Sequence, residues 1–152
     1  MTWVIWTLMM AAAAADKPAP QVGLSVWAVQ ACEEKRAETF FGQGLETVRD
    51  ALTDLPFDTF HLLHFEETRQ EMDKTWTVAL DERYRLKATP LGQGPLGRVR
   101  VELQIELLPK SPEGKPVNVL STRVRMKAGE KVTLRGLQRD SGELAVVVQM
   151  NK

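Results

Sequence analysis

Arginine and lysine recur at alternate positions along several β-prone segments in the second half of the chain. Alternate residues of a strand point to the same face, so these cations collect on one solvent face if the intervening apolar residues point inward. Guanidinium and ammonium groups bind carboxylates and phosphates, which makes this basic face a candidate anion-binding surface. Its predicted binding residues are Arg85, Lys87, Arg98, Arg100, Arg123, Arg125, Lys131 and Arg135, with Arg83 and Lys127 as further members.

Three interpretations of this basic face remain open. In the first it is a solvated surface, partly paired across strands with Glu102, Glu106 and Glu130. In the second it docks an acidic partner or another copy of the chain. In the third it binds a polyanion such as lipid headgroups or lipopolysaccharide. Exposed aromatic residues do not alternate with the cations, so the pattern lacks a platform on which bases stack. We therefore expect no nucleic-acid partner.

The segment from Gly92 to Gly97 matches the G-x-G-x-x-G pattern of dinucleotide-binding loops. That pattern works by placing a pyrophosphate at a helix N-terminus, whereas a strand-like Arg-Val-Arg-Val follows here. The pattern therefore predicts a hairpin loop, and we expect no cofactor.

His61, His64 and Cys32 are the other residues whose side chains are able to bind a metal ion or take part in catalysis. On a strand, residues three apart point to opposite faces, so the two imidazoles would not share a metal ion, although on a helix they would. Cys32 lies in a predicted strand with no helix N-terminus to activate its thiol, and it is predicted to be a buried small side chain. We expect neither a metal site nor catalytic residues.

The chain divides into three predicted parts. Residues 1–15 are uncharged and apolar and end in small residues at Ala13 and Ala15, which is typical of a secretory signal peptide and too short to span a bilayer. Residues 16–21 form a proline-containing linker, and residues 22–152 form a single domain. We expect an exported protein, periplasmic or extracellular, that is not an integral membrane protein.

Hydrophobic spacing predicts the secondary structure of this domain. Residues 22–32 form a strand, and Leu45, Val48, Leu52 and Leu55 define one face of a helix that ends before Pro56. Residues 57–72 favour a strand, with a continued helix as the alternative. Six alternating segments then follow from residue 76 to residue 150. The predicted fold is α+β, a β-α-β start and six further strands, with one helix on a mainly antiparallel sheet or small β-sandwich.

Charge is distributed unevenly between the two halves of the chain. Residues 1–82 hold 6 basic and 14 acidic side chains, and residues 83–152 hold 14 basic and 6 acidic ones, so formal charges of −8 and +8 cancel to zero. Such a molecule is able to associate head to tail.

The segment STRVRMKAGEKVTLRGL, from Ser121 to Leu137, resembles the strand–glycine–acid–strand–Gly-Leu signature near the end of the secretin β-domain. The resemblance extends over residues 98–150 and includes the closing GELAVVV. Secretins usually have two adjacent glycines where this chain has Arg135-Gly136, and they are far longer. The resemblance implies a small envelope protein that belongs to, or assists, a secretion or pilus-type machine.

These features predict a non-enzymatic structural or accessory protein of the bacterial cell envelope that acts through protein–protein contacts. Its partner is then another envelope protein or a second copy of the chain. The alternative is a periplasmic binding module that holds an anionic ligand on the basic face.

Overall fold

The computed structural model describes residues 20–151 of the chain. The predicted signal peptide lies outside these residues, as does most of the predicted linker. The strands are β1 (Gln21–Cys32), β2 (Phe40–Phe41), β3 (Thr59–Glu71), β4 (Trp76–Ala79), β5 (Tyr84–Gln93), β6 (Val99–Leu107), β7 (Val117–Met126), β8 (Lys131–Arg139) and β9 (Gly142–Met150). The helix α1 (Arg49–Thr53) continues a 3-10 turn at Glu46–Val48.

The strands form two sheets. One has the order β2-β3-β1-β9-β8, and the other has the order β4-β5-β6-β7. Every neighbouring pair is antiparallel except β2 and β3, which are parallel. The described chain is therefore mostly β, with two mainly antiparallel sheets and one short helix. The two-residue β2 was not predicted.

The main core lies between the two sheets. Val99, Val101, Leu103 and Ile105 alternate along β6 and are all buried, because successive side chains of a strand point to opposite faces. They share one cluster with inward residues of β1, β5 and β9.

A second, smaller core lies on the other face of the five-stranded sheet. The predicted helical face is buried there at Leu45, Val48 and Leu52, in one cluster with Val29 of β1 and Val147 of β9. Because β1 and β9 are covered on both faces, they read as continuous apolar runs rather than as alternating ones.

The strand prediction for residues 57–72 is confirmed by β3. In β3 one extra residue, Leu63, forms a bulge against β1. This bulge places His61 opposite Gln30 and His64 opposite Ala28, and those two partners share one face of β1. The prediction that the two histidines occupy opposite faces is therefore wrong, because strand parity does not account for an inserted residue.

The sheets cross rather than run alongside one another. Four residues connect β3 to β4, so β4 begins near one edge of the five-stranded sheet. At its other end, Asp81 accepts a hydrogen bond from Arg139 at 2.9 Å, which places the β4–β5 turn beside β8 at the opposite edge. None of the helices between residues 20 and 151 has the length and apolar character needed to cross a bilayer.

Candidate anion-binding site

The structure distributes the predicted basic face over both sheets. Arg85 and Lys87 on β5, Arg100 on β6, and Arg123 and Arg125 on β7 point outward from the four-stranded sheet, and Arg98 immediately precedes β6. Lys131 and Arg135 lie instead on β8, in the five-stranded sheet. Parity along a strand says which way a side chain points from its own sheet, but it does not reveal that the chain changes sheet after residue 126.

At one end of the outer face of the four-stranded sheet, Glu106 pairs with two cations. β5 and β6 pair Arg85 directly with Glu106, and the two side chains are hydrogen-bonded. Lys87 Nζ lies 3.1 Å from the same carboxylate. Hydrogen bonds from Arg85 and Lys87 lower the pKa of Glu106, although partial burial opposes the shift.

Next along β6, Glu102 neutralises Arg123. The register between β6 and β7 sets these residues opposite each other, and Arg123 Nε lies 3.1 Å from a Glu102 carboxylate oxygen. Gln104 also donates a hydrogen bond to Glu102 at 2.9 Å. This part of the face is therefore a cross-strand ion-pair arrangement of the kind that stabilises sheets modestly.

At the opposite end of β6 the same register brings two arginines together. Arg100 lies directly opposite Arg125, and Arg98 lies two residues before Arg100. Within residues 20–151, none of these three side chains forms an ion pair. We call Arg98, Arg100 and Arg125 the arginine cluster.

The arginine cluster lines a surface concavity of about 440 Å³. Its remaining wall is the β5–β6 loop, at Gln93, Gly94, Pro95 and Leu96. The Gly94 N–H donates to the Arg98 carbonyl at 2.6 Å, which closes this loop against the start of β6. Gly97, at φ +70, adopts a left-handed conformation that favours glycine.

The loop is the predicted hairpin connection, since it holds a single 3-10 turn at Pro95–Gly97 and is followed by β6 at Val99 rather than by an α-helix. The glycines therefore shape a turn beside the arginines instead of a pyrophosphate cradle. Leu96 is 91% exposed at the tip of the loop, where it forms an apolar rim to the concavity.

Chemically, this wall is suited to binding. Each guanidinium presents five N–H donors in a planar fork that matches carboxylate and phosphate oxygens. The seven residues of the wall include no carboxylate, histidine, cysteine or hydroxyl side chain that would transfer a proton or attack a substrate. The arrangement is suited to holding and orienting an anion rather than to catalysing a reaction.

Other predicted cations are paired or isolated from the cluster. Arg135 Nη2 lies 3.3 Å from a Glu143 carboxylate oxygen, and Lys127 Nζ lies 3.9 Å from one of Glu130. Lys131 lies opposite Gln149 at the start of β8. None of these side chains lines the concavity beside the arginine cluster.

Cys32 and the two histidines form no metal or catalytic site in the described part of the chain. Cys32 is half-buried, and burial, reinforced by the Glu34 and Asp58 carboxylates, raises the pKa of its thiol. A raised pKa disfavours the thiolate that a nucleophile or metal ligand requires. Between residues 20 and 151, no group of three or more His, Cys, Asp or Glu side chains is arranged to hold a metal ion.

Asp58 organises the charged connector that follows β1. Its carboxylate accepts hydrogen bonds from the backbone N–H groups of Glu34 at 2.8 Å and Arg36 at 2.7 Å. These two hydrogen bonds lower the pKa of Asp58. Its role is therefore to order a loop.

Sequence reasoning found the three arginines but missed the loop that completes their wall. The adjacency of the glycine-rich segment and Arg98-Val99-Arg100 was the available signal. The chain matches no protein-family model, and no curated protein is significantly similar to it. The resemblance to secretins stays a prediction.

Proposed function

We propose that the chain is a non-enzymatic, exported binding protein of the bacterial cell envelope that holds an anionic ligand with its arginine cluster. We assign this role to a single α+β domain, residues 22–152. The observation that carries the proposal is the contrast in pairing: Arg85, Lys87 and Arg123 have carboxylate partners, whereas no member of the arginine cluster has one within residues 20–151. Like charges set opposite each other on a sheet repel, and a bound anion relieves that repulsion.

The size and composition of the concavity indicate the class of ligand. A volume of about 440 Å³ lies within the range of small-molecule sites, which is about 300–1,000 Å³. Three guanidinium groups select phosphate or carboxylate groups, and Pro95 and Leu96 offer apolar contact beside them. The best-fitting ligand is a small organic anion or one anionic unit of an envelope polymer.

The test is retention on a polyphosphate column. We expect the variant Arg100→Glu with Arg125→Glu to elute at much lower salt than the unmodified chain, because carboxylates replace two guanidinium groups. The matched control is Lys110→Glu with Lys115→Glu, which makes the same change in net charge on the loop between β6 and β7. Unchanged elution of the arginine variant, or an equal loss in the control, would contradict the proposal.

A second candidate function is a structural or accessory role in a secretion or pilus-type assembly. The observation that favours it is the presence of two long strands, β3 and β7, whose outer edges lack a partner over most of their length in residues 20–151. This role predicts salt-sensitive association that persists when Arg98, which lies outside β7, is reversed in charge. Neighbouring genes for secretion or pilus components would also support it.

A further inference from the structure

β7 and β3 each present an unpaired strand edge within the described part of the chain. β7 is the last strand of its sheet and pairs with β6 alone. β3 is covered on its outer side by β2 only at Thr59 and Phe60. An unpaired edge presents a row of backbone N–H and C=O groups that pair readily with another strand.

The two open edges are similar in usable length. A bulge at Val119 interrupts β7, and the bulge at Leu63 interrupts β3. Beyond these bulges each strand keeps a regular register, over residues 120–126 in β7 and residues 64–71 in β3. The other edge strands are less suitable, because β4 has four residues and β8 is itself bulged between Leu134 and Leu137.

Charge distinguishes the two open edges. The regular part of β7 carries Arg123 and Arg125 and no acid. The regular part of β3 carries Glu66, Glu67 and Glu71, with Arg69 as its one basic residue. Pairing β7 with β7 therefore sets cations together, and pairing β3 with β3 sets acids together, so charge favours β7 with β3.

We propose that the β3 edge of a second copy of the chain adds to β7 and extends the four-stranded sheet. Main-chain hydrogen bonds supply the contact, and opposite charge selects the partner. Since Glu66 and Glu67 are adjacent, they point to opposite faces, and either orientation of the added strand brings an acid to the arginine side of β7. The contact also covers Val117 and Val119 beside the β7 edge and Phe65 on β3, which are 57%, 43% and 42% exposed.

This contact joins two different surfaces, so a pair of copies keeps one free β3 edge and one free β7 edge. Repetition then gives a ring if the rotation closes and a filament if it does not. Each contact then joins a strand from the −8 half of the sequence to a strand from the +8 half. The inference does not rest on the arginine cluster as a ligand site, because it uses backbone edges.

The test measures self-association of the full chain by sedimentation velocity at low and high salt. We expect association at low salt that weakens as salt rises. Ser121→Glu with Arg123→Glu should weaken it about tenfold, because the second change reverses a favourable charge contact and the first adds a like-charge one. Glu66→Lys with Glu67→Lys should weaken it similarly, and mixing the two variants should restore association between them.

Two matched controls carry the same charge changes away from the edges. They are Lys110→Glu with Ser111→Glu for β7, and Glu33→Lys with Glu38→Lys for β3. Both should associate like the unmodified chain. A chain that stays monomeric at low salt, or an association that the edge variants leave unchanged, overturns the proposal.

Hydrogen exchange identifies the occupant of the edges. The amides in residues 120–126 and 64–71 that point away from β6 and β1 should exchange more slowly in the associated protein than in dilute monomer. Slow exchange of these outward β7 amides in a monomer would mean that the edge is already covered within one chain, and it would overturn the proposal. Arg98→Glu, which lies outside β7, should reduce polyphosphate retention but leave association intact, so the two proposals fail independently.

Discussion

The outer face of the four-stranded sheet has two ends that use the same residue types to different effect. At one end, Arg85 and Lys87 share the carboxylate of Glu106. At the other end, Arg100 faces Arg125, and neither has an acid partner within residues 20–151. The difference lies in β6, which carries Arg100 near its start and Glu102 and Glu106 further along.

This comparison teaches that an arginine's role depends on what the next strand places opposite it. A cation facing a carboxylate stabilises the sheet by a small amount, generally about 0.2–1 kcal/mol. A cation facing another cation destabilises the empty protein slightly and prepares a site for an anion. We therefore expect loss of the carboxylate to destabilise the paired end, and binding of an anion to stabilise the end with the arginine cluster.

The largest expected effect comes from the strand that the two ends share. Leu103 is fully buried in the middle of β6, and Leu103→Ala should lower the free energy of unfolding by about 2–5 kcal/mol through lost contacts and a cavity. Urea unfolding followed by circular dichroism measures this change. Gln104→Ala, on the outer face of the same strand, should cost less than about 1 kcal/mol. Equal effects of the two substitutions would contradict the assignment of the inner face.

Glu106→Gln converts the paired end into a second unpaired one. Because hydrogen bonds lower the pKa of Glu106 in the folded chain, its contribution to stability is fully present above the ordinary carboxyl pKa of about 4.3. That contribution is lost as the pH falls through the lowered value. Thermal unfolding between pH 7 and pH 3 should thus show a shallower acid decline in Glu106→Gln than in the unmodified chain.

The same substitution should also increase retention on polyphosphate, because Arg85 and Lys87 lose their shared carboxylate. Glu113→Gln is the matched control, since it removes one acid from the exposed loop before β7. Equal retention of the two variants would mean that net charge alone governs binding, and the distinction between the two ends would be lost.

The smallest effect is expected at the rim of the arginine cluster. Leu96→Asp places a carboxylate beside the concavity and should weaken anion binding about two- to fivefold, because exposed charges interact weakly through water. Leu96→Asn matches its size without the charge and should bind like the unmodified chain. Since Leu96 is 91% exposed, neither variant should change the unfolding temperature appreciably. Binding isotherms at constant salt measure the difference.

Much of the local structure was predictable. Alternation of apolar and polar residues located β5 to β8, and the spacing of Leu45, Val48 and Leu52 located the helix, because a side chain's direction follows local periodicity. The helix is shorter than its pattern, since the first turn is a 3-10 turn at Glu46–Val48 and α1 extends only over Arg49–Thr53. The same local rule failed at His61 and His64, where one inserted residue in β3 reversed the parity.

The sequence by itself determined which residues point outward along the regular part of β6, how charge divides between the halves of the chain, and that a loop follows Gly92. Only the tertiary structure decided that Arg100 meets Arg125, that Glu106 serves two cations, and that Lys131 and Arg135 belong to the other sheet. Side-chain direction repeats every two residues along one strand, so it is local. Register and sheet membership depend on backbone hydrogen bonds between segments far apart in sequence, and those bonds created the arginine cluster.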